Sequence, residues 1–228
     1  LMDTLAKHGV DTRDVKHAAG PSGHTVIQVS REAQNAILLF GGSNGAVDEA
    51  YADRVLAQFG AGDILLLQNE ISALPYILEK AHARGMEIWL NPSPMNENAL
   101  KCNLSLVSVF VLNEVEGEQL TGTKIPTAIL DKLLQKYPHA AAVLTLGSKD
   151  AWYAKEDKRA FAPAELVRAV DTTAAGDTFT GYFMRGMLDG LSPKKSLTLA
   201  AKAAAIAVSR PGAAPSIPLY AEVTSERN

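Results

Sequence analysis

The chain has almost no cysteine and no long basic or apolar run. Cys102 is its one cysteine in 228 residues, which excludes an internal disulfide and leaves no paired-cysteine metal motif. The formal net charge is −3 with no basic block, so electrostatic binding to nucleic acid or to an anionic membrane is not expected. No apolar run approaches the roughly 20 residues that span a bilayer, and the first residues do not resemble a signal peptide. These absences predict a cytoplasmic protein with a small-molecule partner.

Two motifs that would indicate other enzyme classes are also missing. The five histidines are scattered without metal-ligand spacing, so they are interpreted as surface or packing residues. No G-x-x-x-x-G-K-[ST] sequence occurs, which argues against a P-loop enzyme. The composition, 47% hydrophobic and 21% charged, is that of a globular protein with a sizeable core. We therefore expect a single domain over residues 1–228.

Short apolar runs alternate with helical segments through the middle of the chain. The runs are DILLLQNE, EIWLNPSP, VSVFVLNE and AAVLTLGS, at residues 63–70, 87–94, 107–114 and 141–148. This pattern predicts an α/β fold, with a mostly parallel sheet flanked by helices. Two hairpins are predicted over 24–40 and 151–163, the first with a polar turn at 31–35, and helices over 47–59, 73–84, 175–188 and 194–208.

Polar residues follow each predicted parallel strand. They are Gln68-Asn69-Glu70, Asn91-Pro92, Asn113-Glu114 and Gly147-Ser148-Lys149. Parallel sheets bind ligands beyond the carboxyl ends of their strands, so these residues predict a site at that edge.

The stretch VDTTAAGDTFTG, residues 170–181, precedes the predicted helix over 175–188. Backbone N–H groups at a helix start, together with the helix dipole, bind anions, and the small residues Ala174, Ala175 and Gly176 would let an anion approach. Asp177 in the first turn would then act as a general base. Alternatively, Asp171, Thr172 or Thr173 caps the helix and Asp177 complements its dipole. The residues alone favour the two interpretations equally.

Three other segments have a structural interpretation beside a functional one. Asn113 and Glu116 form a capping-box pattern, which the residues favour, although a glutamate there would also hold a hydrated Mg²⁺ near phosphates. Thr145 to Lys149 is an ordinary turn or the border of a nucleotide site. The alanine-rich AAKAAAIAV, residues 200–208, favours helix packing over contact with an adenine ring.

With these residues in hand, the chain resembles the ribokinase-like (PfkB) family of carbohydrate kinases. DTTAAGDTFTG is similar to that family's carboxy-terminal signature. Supporting matches follow the same order along almost the whole chain: LLLQNE, LNPSP, LNEVEGEQLTG, LTLGS and AIAVSRPGAAPSIP.

The resemblance implies phosphoryl transfer from ATP to a sugar hydroxyl, with Mg²⁺ as cofactor. It implies that Asp177 is the catalytic base, that Ala174, Ala175 and Gly176 form the anion hole, and that Glu70 contacts the sugar. It places the nucleotide at Asn113, Thr145, Gly147, Ser148 and Lys149, and assigns Glu116 to indirect Mg²⁺ binding. It also implies that residues 24–40 belong to a small β lid across which a homodimer forms.

The resemblance further implies a monovalent cation, K⁺, beside the anion hole. The matching positions are Asp171, Thr173, Ala207, Arg210, Gly212 and Ser216. Without the resemblance, SRPGAAPS is interpreted as an ordinary loop after a helix.

The chain departs from the family pattern at three places. Asp150 stands where the nucleotide loop usually has a second glycine, and Ala201 where some ribokinases have a larger polar residue. The family's amino-terminal part, with a sugar-binding Asp, has no counterpart here, so a fragment of a longer kinase or a truncated product is expected. The resulting hypotheses are a kinase for ribose, less favoured ones for fructose, another ketose or a nucleoside, and a non-catalytic nucleotide- or sugar-binding protein.

Overall fold

The strands of the structure form one mixed sheet and one separate hairpin. The protein is described by a computed structural model that covers residues 1–29 and 35–225. Its strands are β1 (His24–Val29), β2 (Asn35–Phe40), β3 (Ile64–Gln68), β4 (Glu87–Asn91), β5 (Val109–Asn113), β6 (Ala141–Thr145), β7 (Asp150–Lys155) and β8 (Lys158–Pro163). Strands β3 to β8 follow one another in a single sheet, parallel from β3 to β6 and antiparallel from β6 to β8. The predicted α/β class is confirmed.

Helices cover both faces of this sheet. The helices of the described residues are α1 (Met2–Lys7), α2 (Glu49–Leu56), α3 (Leu74–Ala83), α4 (Glu97–Lys101), α5 (Glu114–Thr121), α6 (Pro126–Lys136), α7 (Ala175–Leu188), α8 (Pro193–Val208) and α9 (Tyr220–Thr224). Helix α1 has no buried residue and takes no part in this covering. Successive residues of a strand point to opposite faces, which explains how β5 serves two cores. Phe110 and Leu112 pack with α3 and α6, whereas Val109 and Val111 pack with α7 and α8. A fully covered parallel strand is therefore apolar throughout, as the sequence predicts.

Helices α7 and α8 approach each other closely where Gly186 faces Ser196. A methyl group on Gly186 would lie 2.7 Å from the Ser196 hydroxyl oxygen and 3.0 Å from the Ser196 Cα. Ser196 is fully buried, and its hydroxyl has no hydrogen-bond partner among the described residues. Because Gly186 has no side chain, the backbones of α7 and α8 can approach each other closely at this point.

The β1–β2 hairpin pairs antiparallel with His24 opposite Phe40 and stands apart from the main sheet. Residues 31–34 of its predicted polar turn lie outside the described residues. The helix predicted over residues 47–59 is shorter than expected, because Asp48 caps it by accepting a hydrogen bond from the Tyr51 N–H at 2.7 Å and α2 ends at Leu56. The predicted bounds of α7 are confirmed. Within residues 1–29 and 35–225, no helix is both long and apolar enough to cross a membrane.

Candidate active site

The amino-terminal end of α7 is left open by the residues that precede it. Ala174 adopts the left-handed conformation, with φ +61°, and no side chain of the described residues caps the helix. The alternative that Asp171, Thr172 or Thr173 caps α7 is therefore wrong. Side chains cap α2, α4, α5 and α8, whereas α3 begins as α7 does, after a left-handed alanine, Ala73, and without a side-chain cap among the described residues. A non-glycine residue in this conformation costs energy and leaves the backbone N–H groups of the first turn available.

The Ala174 turn is held by hydrogen bonds to the Ala174 carbonyl group, on the helix side of the turn. The Ala174 carbonyl accepts hydrogen bonds from the Thr178 N–H and hydroxyl, at 2.9 and 2.8 Å. The Ala175 N–H donates to the Thr172 carbonyl at 3.3 Å, whereas the N–H groups of Gly176 and Asp177 have no partner in the described part of the chain. The Ala174 N–H has no partner among the described residues either, so three backbone donors at the positive end of a helix dipole remain for an anion.

Asp177 is exposed at the wall of a cleft of about 400 Å³. Its Oδ1 atom accepts a hydrogen bond from Gln68 Nε2 at 3.0 Å, and Gln68 is the last residue of β3. The contact joins two residues that are 109 positions apart in the chain. The strand ends and the α7 turn therefore meet at the predicted edge of the sheet.

The same cleft is lined by the ends of β3 and β4 and by the hairpin. Glu70 and Asn91 line it, as do Thr25 of β1 and Leu39 of β2. Asn69, which is buried, donates through its side-chain amide to the Pro94 carbonyl at 2.5 Å and to Asn96 Oδ1 at 2.9 Å. These bonds fix the loop after β4 against β3. This end of the cleft offers hydroxyl-binding groups under a cover formed by the hairpin.

Asn113 and Glu116 form the predicted capping box at the start of α5. The Asn113 side-chain oxygen accepts from the N–H groups of Val115 and Glu116, both at 2.9 Å. In return, the Glu116 carboxylate accepts from the Asn113 N–H and side-chain amide, each at 2.9 Å. Glu116 is only 4% exposed, yet it lines the cleft. The capping interpretation is confirmed, and it holds a carboxylate at the cleft in a fixed orientation.

A second cavity, of about 300 Å³, lies on the other side of the α7 turn. Thr145 at the end of β6 lines it, as do Gly147 and Ser148 of the β6–β7 loop. Gly147 has a φ of +59° that a turn residue other than glycine rarely adopts. Lys149 lies on the same loop but is exposed and does not line the cavity.

Helix α8 forms an apolar wall of this second cavity. Ala201, Ala204, Ala205 and Val208 contribute to it. Packing therefore accounts for only part of the alanine run, because these residues also line the cavity. The sequence did not separate the two uses, since alanine is favoured in any helix.

Asp150 begins β7 at the rim of the same cavity. Its Oδ1 atom accepts a hydrogen bond from Trp152 Nε1 at 2.9 Å, and its backbone carbonyl accepts from the Leu146 N–H at 2.9 Å. The aspartate is therefore accommodated in the turn, with its carboxylate held beside an aromatic residue.

The residues matched to a cation site lie before α7, in the last turn of α8 and after α8, and Asp171 joins the loop before α7 to the loop after α8. Its carboxylate accepts from the Thr173 N–H and from the Gly212 N–H, each at 2.9 Å. Hydrogen bonds from the side chain and backbone of Thr173 and from the Gly212 N–H hold the pKa of Asp171 below its ordinary value. The structure thus connects the loop at Gly212 to the residues that lead into α7.

The other matched positions lie at the end of α8 and on the loop that follows it. The Ala207 carbonyl accepts from the Arg210 N–H at 3.0 Å, and the Arg210 guanidinium pairs with Glu222 of α9 at 2.6 Å. Ser216 is fully buried, and its hydroxyl donates to the Ala213 carbonyl at 2.7 Å. These contacts order the loop independently of any ion.

The cleft is acidic, and the α7 turn provides its positive potential. Glu70, Glu116 and Asp177 line it, and no lysine or arginine does so among the described residues. No group of three or more metal-binding side chains is close enough to hold an ion by itself in residues 1–29 and 35–225. A divalent cation here would therefore be held largely by water and by phosphate oxygens, which is the usual situation for Mg²⁺.

Comparison with known proteins places this arrangement in one family. The sequence profile of the pfkB family carbohydrate kinases matches residues 1–219. The chain is 36% identical over 242 residues to the ribokinase of Schizosaccharomyces pombe, covering 100% of this chain and 75% of that protein.

Solved ribokinases share the fold. The Cryptococcus neoformans ribokinase in complex with ADP has a TM-score of 0.83 at 27% identity, covering 97% of this chain and 77% of that one. The Arabidopsis thaliana ribokinase complexed with ribose and ATP has a TM-score of 0.74 at 28% identity, covering 90% and 69%. The similarity therefore extends over nearly all of the described elements.

Proposed function

Because the chain belongs to the pfkB family of carbohydrate kinases, we propose that it transfers the γ-phosphoryl group of ATP to a hydroxyl group of ribose. One observation carries the proposal: a single turn separates the two cavities. Thr172 and Ala175 line the 300 Å³ cavity, whereas Thr173, Ala174, Gly176 and Asp177 line the 400 Å³ cleft. A nucleotide on one side and a sugar on the other would meet at the N–H groups of this turn.

The chemistry follows from the groups at that junction. Asp177 accepts the proton of the sugar hydroxyl as its oxygen attacks the γ-phosphorus. The free N–H groups of Gly176 and Asp177 stabilise the negative charge of the transferring phosphoryl group, and they need no reorganisation at the moment of reaction. Asp177 is on the cleft side of the turn, as a base for the sugar must be.

The nucleotide occupies the cavity between the β6–β7 loop and α8 in this proposal. The alanine methyl groups of α8 accept the flat face of the adenine, and the backbone at Gly147 and Ser148 borders the rest of the nucleotide. Thr145, which lines both cavities, and Asn113 lie toward the phosphates. Lys149 is exposed on the same loop and does not line the cavity, so it would contact the nucleotide only from the solvent side. Two similar ribokinases have been solved with ADP and with ribose and ATP, which supports a nucleotide and a sugar as the ligands of this chain.

Mg²⁺ fits the cleft as a cofactor. The carboxylates of Glu70, Glu116 and Asp177 would repel a triphosphate, and no lysine or arginine among the described lining residues offsets them. Glu116 would orient the water molecules of the ion, because the Asn113 bonds fix its carboxylate. When bound, Mg²⁺ supplies charge neutralisation of the phosphates.

A K⁺ ion is the second cation of the proposal. The matched positions are Asp171 and Thr173 before α7, Ala207 in the last turn of α8, and Arg210, Gly212 and Ser216 after it. The Asp171 carboxylate joins the loop before α7 to the loop after α8. Oxygens of these loops would hold the ion and so stabilise the conformation that leads into Ala174. This assignment is supported by the placement of the loops directly before α7 and after α8.

The hairpin is proposed to act as a lid over the sugar. Thr25 and Leu39 line the cleft opposite the strand ends. Val26, Leu38 and Phe40 are exposed on the same hairpin, which suits the homodimer that the resemblance implies. Residues 1–228 are treated as one kinase domain in this proposal.

The function is tested by measuring ADP release over a panel of ribose, fructose, another ketose and a nucleoside, with Mg²⁺ and with or without K⁺. We expect turnover to be highest with ribose, and Asp177→Asn to lower kcat at least about a hundredfold because the base is removed. Asp189→Asn, at the opposite end of the same helix, is the matched control and should retain activity. A fully active Asp177→Asn variant would refute the role of the base. ATP binding without turnover on any sugar would favour the non-catalytic alternative.

A further inference from the structure

The side chain of Gln68 makes the one hydrogen bond that the described residues give to the Asp177 carboxylate. Gln68 Nε2 donates to Asp177 Oδ1 at 3.0 Å. An aspartate oxygen can only accept, so the amide must present its nitrogen to Asp177 and its carbonyl oxygen away from it. Both side chains line the cleft. The second oxygen of Asp177 and the carbonyl oxygen of Gln68 are thus left for hydroxyl groups of a substrate.

An aspartate at the third position of a helix has an alternative conformation. It can turn back toward the unbonded N–H groups of the first turn, since short acidic side chains bond readily to nearby backbone donors. Here the free N–H groups of Gly176 and Asp177 would attract the carboxylate. In that conformation the base would occupy the anion hole and would leave the sugar. The bond from Gln68 opposes this movement.

A neutral hydrogen-bond donor is better suited than a charged one to hold the Asp177 carboxylate in place. A lysine or arginine at position 68 would also hold the carboxylate, but its positive charge would make the carboxylate a weaker base. Gln68 reaches Asp177 from the end of β3, a different element from α7. The orientation of the base is therefore set by the sheet as well as by its own helix.

We propose that Gln68 is a positioning residue for the phosphoryl transfer, one that holds Asp177 away from the anion hole and directs its free oxygen to the attacking hydroxyl. This inference rests on the proposed function, because it assigns a purpose to Gln68 only if Asp177 is the base. The predicted consequence is a loss in kcat when the amide is removed, with the nucleotide site intact.

The test compares Gln68→Leu with Gln58→Leu. Gln58 also donates through Nε2 to an aspartate, Asp14, at 3.1 Å, but on the surface away from the cleft, so it controls for the chemical change. In Gln68→Leu, kcat should fall about tenfold to a hundredfold, the range of a lost hydrogen bond to a charged group, while the KM for ATP stays within about twofold. The kcat of Gln68→Glu should fall as much as that of Gln68→Leu, because a second carboxylate repels Asp177. Gln58→Leu should keep wild-type kcat.

Crystal structures of the wild type and of Gln68→Leu provide a readout that does not depend on turnover. The Asp177 carboxylate should keep its place in the wild type and turn toward the Gly176 N–H in the variant. An unchanged Asp177 conformation, or an unchanged kcat, would overturn the positioning role. A higher KM for ribose with an unchanged kcat would also overturn it, because Gln68 would then be a sugar ligand only. An active Asp177→Asn variant would refute the role of the base itself, and the positioning role with it. A large loss in Asp177→Asn beside an unchanged kcat in Gln68→Leu would refute the positioning role alone, so the two failures are distinguishable.

Discussion

Gly186→Ala tests the close contact of α7 and α8 that supports the candidate site. The added methyl group would lie 2.7, 2.9 and 3.0 Å from the Oγ, Cβ and Cα atoms of Ser196. Because one of these atoms belongs to the backbone, the helices must move apart, and we place the cost at the upper end of overpacking, about 3 kcal/mol. Alanine recovers about 1 kcal/mol of helix propensity over glycine. We therefore expect a net loss of about 2 kcal/mol in the free energy of unfolding.

Ser196→Ala has the opposite expected effect and completes the test. The Ser196 hydroxyl is buried without a partner in the described residues, so removing it should stabilise the protein by about 1 kcal/mol. The double variant should be more stable than the sum of the single effects by about 0.5–1 kcal/mol, because the 2.7 Å contact is gone while the others remain.

Equilibrium unfolding in urea measures all three variants. Gly186→Ala should lower the Tm by about 4–8 °C in a thermal scan. A stability of Gly186→Ala equal to the wild type would show that α8 yields without cost and would refute the reasoning. Additive effects in the double variant would show that Ser196 Oγ is not the atom that the methyl group meets.

Two further predictions concern acidic side chains near the site. Because its hydrogen bonds to Thr173 and Gly212 lower the pKa of Asp171 below 3.8, its contribution to stability is present above about pH 4 and is lost as the pH falls below that value. The difference in Tm between the wild type and Asp171→Asn should accordingly shrink from pH 5 to about pH 2, and a constant difference would argue against the ionised carboxylate as its cause. Asp150→Asn keeps an acceptor for Trp152 but removes a charge at the rim of the nucleotide cavity. Its KM for ATP should fall about threefold to fivefold at low ionic strength and less at high salt, whereas a rise would indicate that the carboxylate binds the nucleotide.

The sheet and the α7 helix could be predicted from the sequence because each is encoded by a short, continuous pattern of residues. Continuous apolar runs such as the one around Phe110 identify strands covered on both faces, and α7 begins where predicted. The prediction for α2 was too long because Val47 and Phe59 are apolar and fit the helical spacing, although Asp48 caps the helix inside that range.

The features of the site that the sequence does not predict depend on tertiary contacts. Gln68 belongs to the polar group after β3, but nothing in the spacing shows that it reaches Asp177, 109 residues further along. The sequence favours packing for the alanines of α8, and only the fold shows that Ala201 and Ala204 also line a cavity. That no side chain in the described part of the chain caps α7 is likewise a structural finding, since Asp171 could bond either to α7 or to the Gly212 loop and is seen to bond to the loop.

The turn from Thr172 to Asp177 forms part of the wall of both cavities, and this has a consequence for how specificity can diversify. Residues that would distinguish one phosphate donor from another come from the β6–β7 loop and α8. Residues that would distinguish one acceptor from another come from the ends of β3 and β4 and from the hairpin. Because these two sets share little beyond Thr145 and the turn, substitutions can change the choice of sugar or of nucleotide separately while the reacting groups keep their geometry.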